Sequence, residues 1–393
     1  MVTDQALESI TSPPVRLAVL QPTSLCNLNC SYCYVPDRRN ALLMSEEVVK
    51  AAASFVLKAA PRGQTEFRFL WHAGEPLAAG IDFYKRAFAA IDDLLPHGAS
   101  VRHSIQTNGT LVTVDWCRLL QAYNVSVGIS IDGPRRLHDA NRVAWSGRGS
   151  HERTMRGLEL LRAHGFNPAA ICVLTPIALE CPDEIYDFFR QQNFPSVGFN
   201  VEESEGTHPR SRHLDSTDSE LRGKYVRFMR RLWERWSADR GALRVREFER
   251  ELAMICDLQE SADFVATPDE VIPFANITIR RDGAISTFAP ELASTRSRKY
   301  DDFVVGNVLF DEPADVLQGD ALRKLQRDVE RGRKACKLTC AYFALCGGGF
   351  QSNRIAEHGT LEATATSTCR VHRMALTDVV LSKLGDLSRV RPS

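Results

Sequence analysis

The sequence has no excess of charge of either sign and no long apolar run. Its 49 Lys and Arg residues balance 49 Asp and Glu residues, so no broad electrostatic field attracts nucleic acid or an anionic membrane. No stretch approaches the roughly 20 consecutive apolar residues that a membrane-spanning helix needs. Residues 1–21 also lack the basic start and apolar centre of a secretory signal. We therefore expect a cytoplasmic protein with no nucleic-acid partner and no membrane partner.

Three of the eleven cysteines stand close together, at Cys26, Cys30 and Cys33 in "CNLNCSYC". Chance and a small disulfide knot are the simplest explanations, but clustered thiols in a reducing compartment indicate metal binding. A zinc ion would need a fourth ligand, and the next histidine is His72. Three thiolates on a four-iron cluster would instead leave one iron open to a small ligand.

Apolar periodicity predicts six strand–helix units in series. We expect strands at 16–21, 66–71, 101–107, 125–131, 169–174 and 196–201, and helices at 45–60, 82–95, 113–123, 151–164, 183–193 and 217–238. This order predicts an α/β fold with a parallel sheet, either doubly wound or closed into part of a barrel. In both arrangements the loops after the strands meet at one mouth. The three cysteines follow the first strand.

The last third of the chain has a different pattern. A helix is expected over 244–258, a hairpin over 276–288 around Asp282-Gly283, and helices near 320–332 and 370–384. We predict three regions: 1–240, a helical bridge over 241–275, and a smaller domain over 276–393. The polar segment 202–219 is the predicted lid of the mouth.

The C-x3-C-x-aromatic-C motif after the first strand resembles the signature of the radical S-adenosylmethionine (SAM) superfamily. The resemblance implies that region 1–240 is a partial (β/α)6 TIM barrel. It also implies that Cys26, Cys30 and Cys33 are the catalytic ligands of a [4Fe-4S] cluster whose open iron binds SAM. Reductive cleavage of SAM would then give a 5′-deoxyadenosyl radical that removes a hydrogen from the substrate.

Polar motifs after the next strands resemble the SAM-contacting segments of this superfamily. They are "HAGEP" (72–76), "QTNG" (106–109) and "SIDGP" (130–134); alone, such short motifs more often mark turns. The family has a glycine where this chain has Ala73. The resemblance assigns Ser130 and Arg142 to the SAM carboxylate, a task that suits arginine, and Tyr32 to the adenine. The implied SAM contacts are Tyr32, Gly74, Glu75, Gln106, Asn108, Ser130 and Arg142.

A second group of cysteines lies near the other end of the chain, at Cys336, Cys340, Cys346 and Cys369. With "CGGGF" (346–350) it resembles the SPASM extension of peptide-modifying radical SAM enzymes, which implies a C-terminal α+β domain. A full SPASM domain holds two auxiliary clusters. The family usually has a cysteine just after the turn of the 276–288 hairpin, where this chain has none, and Phe350 stands where another ligand is usual. We therefore expect one auxiliary [4Fe-4S] cluster on the four cysteines, with a structural zinc as the alternative.

The stretches "LQPTSLCNLNCSYCY", "WHAGEPL", "SIDGPRRLHDANR" and "GFNVEESEG" resemble the maturases that form cyclophane crosslinks in ribosomally made precursor peptides. The implied reaction joins a β-carbon of the peptide to an aromatic ring. The implied partners are that peptide and an electron donor such as flavodoxin or ferredoxin. Alternatives are a sulfatase-type formylglycine maturase, a thioether-forming maturase and a non-enzymatic metal or iron–sulfur scaffold. Candidates for proton transfer, which the sequence does not rank, are His72, Asp132, Glu202 and Glu203.

Overall fold

The computed structural model describes residues 15–215, 217–261 and 263–390. Its strands form one sheet in the order β10-β9-β8-β1-β2-β3-β4-β5-β6-β7. Among the described residues, no helix combines the length and apolar character that crossing a bilayer requires. The strands are β1 Leu17–Leu20, β2 Glu66–Trp71, β3 Ser100–Thr107, β4 Ser126–Ser130, β5 Ala169–Leu174, β6 Ser196–Val201, β7 Arg244–Val245, β8 Asn276–Ile279, β9 Ala284–Thr287 and β10 Gly306–Asn307.

Strands β1 to β6 are parallel neighbours in chain order, and a helix follows each of them. This confirms the predicted α/β fold with a parallel-sheet core. The helices are α1 Glu46–Ala59, α2 Ile81–Asp92, α3 Val114–Ala122, α4 Arg135–Asp139, α5 His151–Ala163, α6 Pro182–Gln191, α7 Asp218–Ala238, α8 Arg246–Glu260, α9 Pro313–Gln318, α10 Asp320–Thr339, α11 Phe343–Cys346, α12 Gln351–His358 and α13 Leu376–Val390. A π-helical segment, Cys369–Ala375, precedes α13.

The predicted hairpin is present as β8 and β9. Its turn is closed by a 2.9 Å hydrogen bond from Gly283 N to the Arg280 carbonyl, with φ of Gly283 at 81°. Strand β8 also pairs in parallel with β1, with Leu17 opposite Asn276. The hairpin therefore extends the barrel sheet past its first strand. The boundaries 1–240, 241–275 and 276–393 stay a prediction.

Local sequence explains where the longer helices begin and which side they bury. Ser45 caps α1 by accepting a 3.2 Å hydrogen bond from Val48 N, and acidic residues occupy its first turn. Thr217 and Glu220 form a reciprocal capping box at the start of α7. Both helices bury residues at three- and four-residue intervals against the sheet, because that spacing places apolar side chains on one face.

Helix α5 lies against the turn that follows β3, and a glycine permits the contact. A Cβ atom on Gly157 would lie 2.0 Å from the carbonyl oxygen of Gly109. Gly223, in the interior of α7, has open space instead: its nearest neighbour to such a Cβ is a flexible arginine end 3.5 Å away. An added methyl group would therefore meet backbone at Gly157 but would fit at Gly223.

We expect Gly157→Ala to lower the free energy of unfolding by about 1–3 kcal/mol, because the methyl group overpacks a backbone contact. The matched control Gly223→Ala should raise it by about 0.5–1 kcal/mol, since alanine is the better helix former. Urea unfolding of the anaerobically purified variants, followed by circular dichroism, measures both. A Gly157→Ala midpoint equal to that of the unchanged protein would contradict the close contact.

Candidate active site

A cavity of about 500 Å³ opens where the parallel strands end. Residues at or just after these ends line it, including His72 after β2, Gln106 in β3 and Ser130 in β4. Segments after the hairpin and in the last third of the chain form the opposite wall. The cavity brings together every residue predicted for the first cluster and for SAM: Cys26, Cys30, Cys33, Tyr32, Gly74, Glu75, Gln106, Asn108, Ser130 and Arg142.

The loop that carries the three cysteines is held by the segment 141–145. The Asn29 N–H donates to the Val143 carbonyl at 2.7 Å, and the indole Nε1–H of Trp145 donates to the Cys26 carbonyl at 2.8 Å. The guanidinium of Arg39 lies 4.2 Å from the centre of the Trp145 ring. These contacts fix a loop that has neither helix nor strand pattern of its own.

Residues 202–211, the first half of the predicted lid, pack on the same loop. The Thr207 N–H donates to the Tyr34 carbonyl at 3.1 Å. A Cβ atom on Gly206, whose φ is 47°, would lie 2.4 Å from that carbonyl oxygen. Ser211 ties the segment back on itself by donating to the Glu202 carbonyl at 2.7 Å. Residues 202–211 therefore form a wall of the cavity that is held in place by these contacts.

The turn after β2 depends on two consecutive left-handed residues, Ala73 with φ 78° and Gly74 with φ 60°. A Cβ on Gly74 would lie 2.7 Å from the Leu25 carbonyl oxygen, so only glycine lets this turn approach the cysteine loop. Ala73 has a Cβ in a region that favours glycine, which costs of order 1–2 kcal/mol. The turn keeps its shape with alanine in place of the family's first glycine.

Glu75 is buried, and its carboxylate accepts hydrogen bonds from the protein while it also lines the cavity. Its carboxylate accepts hydrogen bonds from the Thr107 hydroxyl at 2.6 Å, from Asn108 N at 2.8 Å and from Leu77 N at 3.1 Å. Burial raises the pKa of Glu75, and these three donors partly oppose the rise. The carboxylate thus joins the turn after β2 to the turn after β3 while one side faces the cavity.

Gln106 and Ser130 lie side by side on the cavity wall, joined by a 2.9 Å hydrogen bond from Gln106 Nε2 to Ser130 Oγ. Gly128 makes room for this pair, because a Cβ there would lie 2.2 Å from Gln106 Oε1. Asn108 faces the cysteine loop: its Nδ2 donates to Asn27 Oδ1 at 3.0 Å and lies 4.0 Å from Cys26 Sγ.

Arg142, Asp132 and Tyr32 form a charged group beside Cys30. Arg142 Nε lies 3.1 Å from Asp132 Oδ2, and Tyr32 donates its hydroxyl to the same oxygen. Burial lowers the pKa of Arg142, but the Asp132 and Tyr32 charges outweigh it and raise that pKa. The Arg142 Nε–H is not aligned with Asp132 and has no hydrogen-bond partner among the described residues. A cation with an N–H to spare suits an incoming carboxylate.

The three thiols converge in surroundings that disfavour their free anions. Burial first, and then Glu75, Cys30 and Cys33, raise the pKa of Cys26. Burial likewise raises the pKa of Cys30 to about 11, although Arg142 opposes the rise. The Leu28 N–H already points at Cys26 Sγ, 3.4 Å away. Buried thiols of this kind become thiolates when iron binds them, so the donor set fits a cluster.

The second cysteine group gathers around a buried arginine. Cys336 lies in α10, Cys340 directly after it, Cys346 at the end of α11 and Cys369 at the start of the π-helical segment. Burial raises the pKa of Cys369, and Cys346 and Cys336 raise it further, because the thiols are close neighbours.

Arg354 is 2% exposed and donates to Cys336 Sγ at 3.2 Å and to the Leu361 carbonyl at 3.2 Å. No carboxylate forms an ion pair with it among the described residues. A buried cation without an anion is costly, and a cluster held by four thiolates would supply the anion. The group therefore fits the predicted auxiliary cluster.

No three His, Cys, Asp or Glu side chains among the described residues come together as ligands of one metal ion. A single ion needs its ligands in one coordination sphere, whereas each thiolate of a four-iron cluster binds a different iron.

Phe350 stands where the resemblance expects a ligand of another auxiliary cluster. Phe288, after the hairpin, is fully buried, and Phe350 lines the cavity. Both have left-handed backbones, with φ of 73° and 65°. The Arg373 guanidinium lies 5.0 Å from the centre of the Phe350 ring, and the His372 ring lies 6.2 Å from it. Hydrocarbon and cationic groups thus occupy this region.

Three of the four residues considered for proton transfer are already engaged. Asp132 pairs with Arg142 as described, and Glu202 accepts from Arg212 Nη2 at 2.7 Å. Burial raises the pKa of Glu202, but the hydrogen bonds from Arg212 outweigh it and lower that pKa. His72 Nε2 lies 3.1 Å from the Tyr34 hydroxyl, and burial lowers the pKa of His72 to about 4. Glu203 is the fourth, and it is not paired with a cation among the described residues.

Sequence reasoning missed four cavity carboxylates: Glu205, Glu247, Glu270 and Glu291. Glu205 lies in the quoted stretch "GFNVEESEG", two residues after Glu203, so its place after β6 was a signal. Glu291 lies beyond the hairpin, and nothing local to it predicts that β8 would bring it to the cysteine loop.

The family model of the radical SAM superfamily matches residues 20–191 of the chain. An uncharacterized protein of Synechocystis sp. is 40% identical over 383 residues, which cover 94% of this chain and 92% of that protein. The chain belongs to the radical SAM superfamily. Membership implies a [4Fe-4S] cluster and SAM, whereas the auxiliary cluster stays a prediction.

Other relatives carry functional names. The serine-type anaerobic sulfatase-maturating enzyme of Klebsiella pneumoniae is 29% identical over 352 residues, covering 88% of this chain and 83% of that protein. The corresponding enzyme of Klebsiella aerogenes is 32% identical over 247 residues, covering 62% and 60%.

Two solved structures share the fold. The structure of anSMEcpe with bound AdoMet has a TM-score of 0.75 and 22% identity, covering 95% of this chain and 98% of that chain. Streptococcus suis SuiB bound to precursor peptide SuiA has a TM-score of 0.63 and 16% identity, covering 91% and 76%.

We expect Trp145→Phe to weaken iron binding at the first cysteine group, because it removes the hydrogen bond to the Cys26 carbonyl but keeps a ring under Arg39. One such bond is worth about 1 kcal/mol, or roughly a fivefold change in the rate of iron loss to a chelator. The matched control is Trp236→Phe, since the Trp236 Nε1–H has no partner among the described residues. Equal rates of iron loss from the two variants would contradict the role of Trp145.

Proposed function

We propose that the chain is a peptide maturase that forms an intramolecular crosslink between a β-carbon and an aromatic ring of a ribosomally made precursor peptide. Peptide substrates are supported by the structures of fold relatives: SuiB was solved with precursor peptide SuiA, and anSMEcpe with the Cp18Cys peptide. An electron donor such as flavodoxin or ferredoxin is part of the proposal. So is the auxiliary cluster on Cys336, Cys340, Cys346 and Cys369.

The observation that supports a crosslink is that Phe350, which stands where the resemblance expects a cluster ligand, lines the cavity. The sulfatase-type maturases that this chain resembles keep two auxiliary clusters. Here Phe350 and its partners Arg373 and His372 present ring faces and a cation to the cavity. Aromatic and cationic walls suit an aromatic substrate side chain, because rings pack edge-to-face and cations bind ring faces.

In this proposal the chain's own residues position the reactants and exclude water. Cys26, Cys30 and Cys33 would hold the cluster, which when bound and reduced would supply the electron for SAM cleavage. Arg142 and Ser130 would hold the SAM carboxylate. Glu75 would face the SAM amino group, and Tyr32 would lie beside the adenine. Gly74 keeps the turn after β2 close to the cysteine loop, while Gln106 and Asn108 complete the wall.

The crosslink leaves the peptide two hydrogens short. One hydrogen atom goes from the β-carbon to the 5′-deoxyadenosyl group, and the aromatic ring later loses one electron and one proton. The electron would leave through the auxiliary cluster, and a cavity carboxylate would take the proton. The peptide is thereby oxidised by two electrons, one of which reduces the radical and the other of which leaves the enzyme.

Formylglycine formation is the second candidate function, and two observations favour it. Named relatives are sulfatase-maturating enzymes, and Glu291 supplies a cavity carboxylate just after the hairpin. The two functions differ in their product, so the product decides between them.

The test begins with anaerobic reconstitution, SAM and dithionite, for which we expect 5′-deoxyadenosine. Cys26→Ala should abolish it, whereas Cys256→Ala should not, since Cys256 is an exposed thiol on α8. Equal product from the two variants would contradict the role of Cys26 as a cluster ligand. No product from the unchanged protein would contradict an enzyme and favour the scaffold alternative.

Co-expression with the peptide of the neighbouring small open reading frame then distinguishes the reactions. A crosslink removes two hydrogens and gives no aldehyde, and a ring-deuterated peptide loses one deuterium. Serine oxidation also removes two hydrogens, so mass alone does not separate the two products. A product that reacts with an aminooxy probe and keeps all its ring deuterium would overturn the crosslink in favour of formylglycine.

We expect Arg354→Gln to make the auxiliary cluster harder to reduce, because it removes a buried positive charge beside Cys336. A shift of about 60 mV to lower potential corresponds to a tenfold change in a one-electron equilibrium. The control is Arg331→Gln, since Arg331 lies on α10 near Cys336 but is 61% exposed. Potentiometric titration followed by electron paramagnetic resonance measures both. Equal shifts in the two variants would contradict a special role for Arg354.

A further inference from the structure

Three carboxylates meet on one wall of the cavity: Glu203 and Glu205, which follow β6, and Glu291, in the helical turn Pro290–Ser294. Burial raises the pKa of each, that of Glu291 to about 7, and neighbouring carboxylates add to the rise in Glu205 and Glu291.

The three carboxylates have few donors and no cation. Asn353 Nδ2 donates to Glu203 Oε2 at 2.9 Å, and the Ser352 hydroxyl bonds to Glu205. Among the described residues, no lysine, arginine or histidine forms an ion pair with any of the three. Arg246, Arg250 and Arg373 line the same cavity, but they do not reach this group. By contrast, the cavity carboxylates Glu202 and Glu247 each pair with an arginine.

A further acceptor lies beside Glu203. Asn353 is 1% exposed, and while its Nδ2 contacts Glu203, its Oδ1 has no hydrogen-bond partner among the described residues. A buried amide oxygen without a donor costs of order 1–3 kcal/mol. The site therefore has acceptors in excess at one place: three carboxylates and an amide oxygen. A ligand with several N–H donors and a positive charge would satisfy all of them.

The carboxylates lie next to the cysteine loop. Burial raises the pKa of Tyr34, and the nearby groups Glu291, Glu205 and Cys33 raise it further. Gly206, the residue after Glu205, is packed on the Tyr34 carbonyl. A substrate group bound here would thus stand beside the centre where hydrogen is removed.

We propose that Glu203, Glu205, Glu291 and Asn353 form a subsite for a cationic side chain, lysine or arginine, of the substrate peptide. The subsite deepens the proposed function and rests on it. The bound cation would anchor the peptide and place a neighbouring residue near the cysteine loop. A cation suits this group because an ammonium or guanidinium donates to several acceptors at once.

The test uses the anaerobically reconstituted protein with SAM and three small probes. N-acetyl-arginine methylamide and N-acetyl-lysine methylamide are cationic, and N-acetyl-citrulline methylamide is the neutral analogue of the first. Isothermal titration calorimetry should show saturable binding of the cationic probes, at least tenfold tighter than that of the citrulline probe. In Glu205→Gln/Glu291→Gln the tenfold preference should disappear.

The control is Glu312→Gln, which makes the same change at an exposed carboxylate paired with Lys58 and should keep the preference. Glu291→Lys is a second variant, because it supplies the cation from the chain itself and should block the cationic probes. Thermal melting followed by circular dichroism verifies that each variant is folded.

Equal binding of the arginine and citrulline probes, absence of saturable binding, or a preference that survives in the folded double variant would each overturn the subsite. The proposed function fails by a different result, since it requires 5′-deoxyadenosine from SAM in the absence of any probe. A protein that forms 5′-deoxyadenosine but does not prefer the cationic probes keeps the function and loses the subsite. A protein that binds them without cleaving SAM keeps the subsite and loses the function.

Discussion

The structure depends on how a loop without regular structure is held in one shape at the end of a barrel. Cys26, Cys30 and Cys33 lie on a loop that cannot support three convergent thiols by its own hydrogen bonds. Segment 141–145 holds it from one side, the turn at Gly74 from another, and residues 202–211 from a third. Each support comes after a different strand. The loop is therefore positioned only when the parallel strands are in register.

The buried charged groups indicate which ligands the protein binds. The protein buries thiols whose pKa is raised, and it buries Arg354 beside Cys336 without a carboxylate. It also half-buries Glu205 and Glu291 without a cation. Each arrangement costs free energy in the empty protein, and each is relieved by a group of opposite charge. Thiols and arginine fit iron–sulfur clusters, and the carboxylates fit a cationic side chain. These free-energy costs arise at the places that the ligands would fill.

The sequence could predict what depends on neighbouring residues. Six strand–helix units follow from apolar spacing, and the residues that line the cavity follow their strands directly, as with Gln106 and Ser130. The sequence could not predict the pairing of β8 with β1, because strand partners far apart in the chain are chosen by the whole sheet. That pairing carries Glu291 to the cysteine loop. Likewise, the polar character of 202–219 predicted a lid, whereas the backbone contacts of Thr207 and Gly206 made its first half a wall.

Similarity to sulfatase-maturating enzymes does not by itself decide the reaction of this chain. The barrel, its cysteine loop and its SAM contacts serve the step that removes a hydrogen atom, and that step is common to the superfamily. What happens to the substrate radical afterwards depends on the groups on the opposite wall. In this chain Phe350 and the carboxylates Glu205 and Glu291 line that part of the cavity. A wall of this kind can orient a ring and hold a cation beside it, which is why the proposed function rests on these residues and not on the shared barrel.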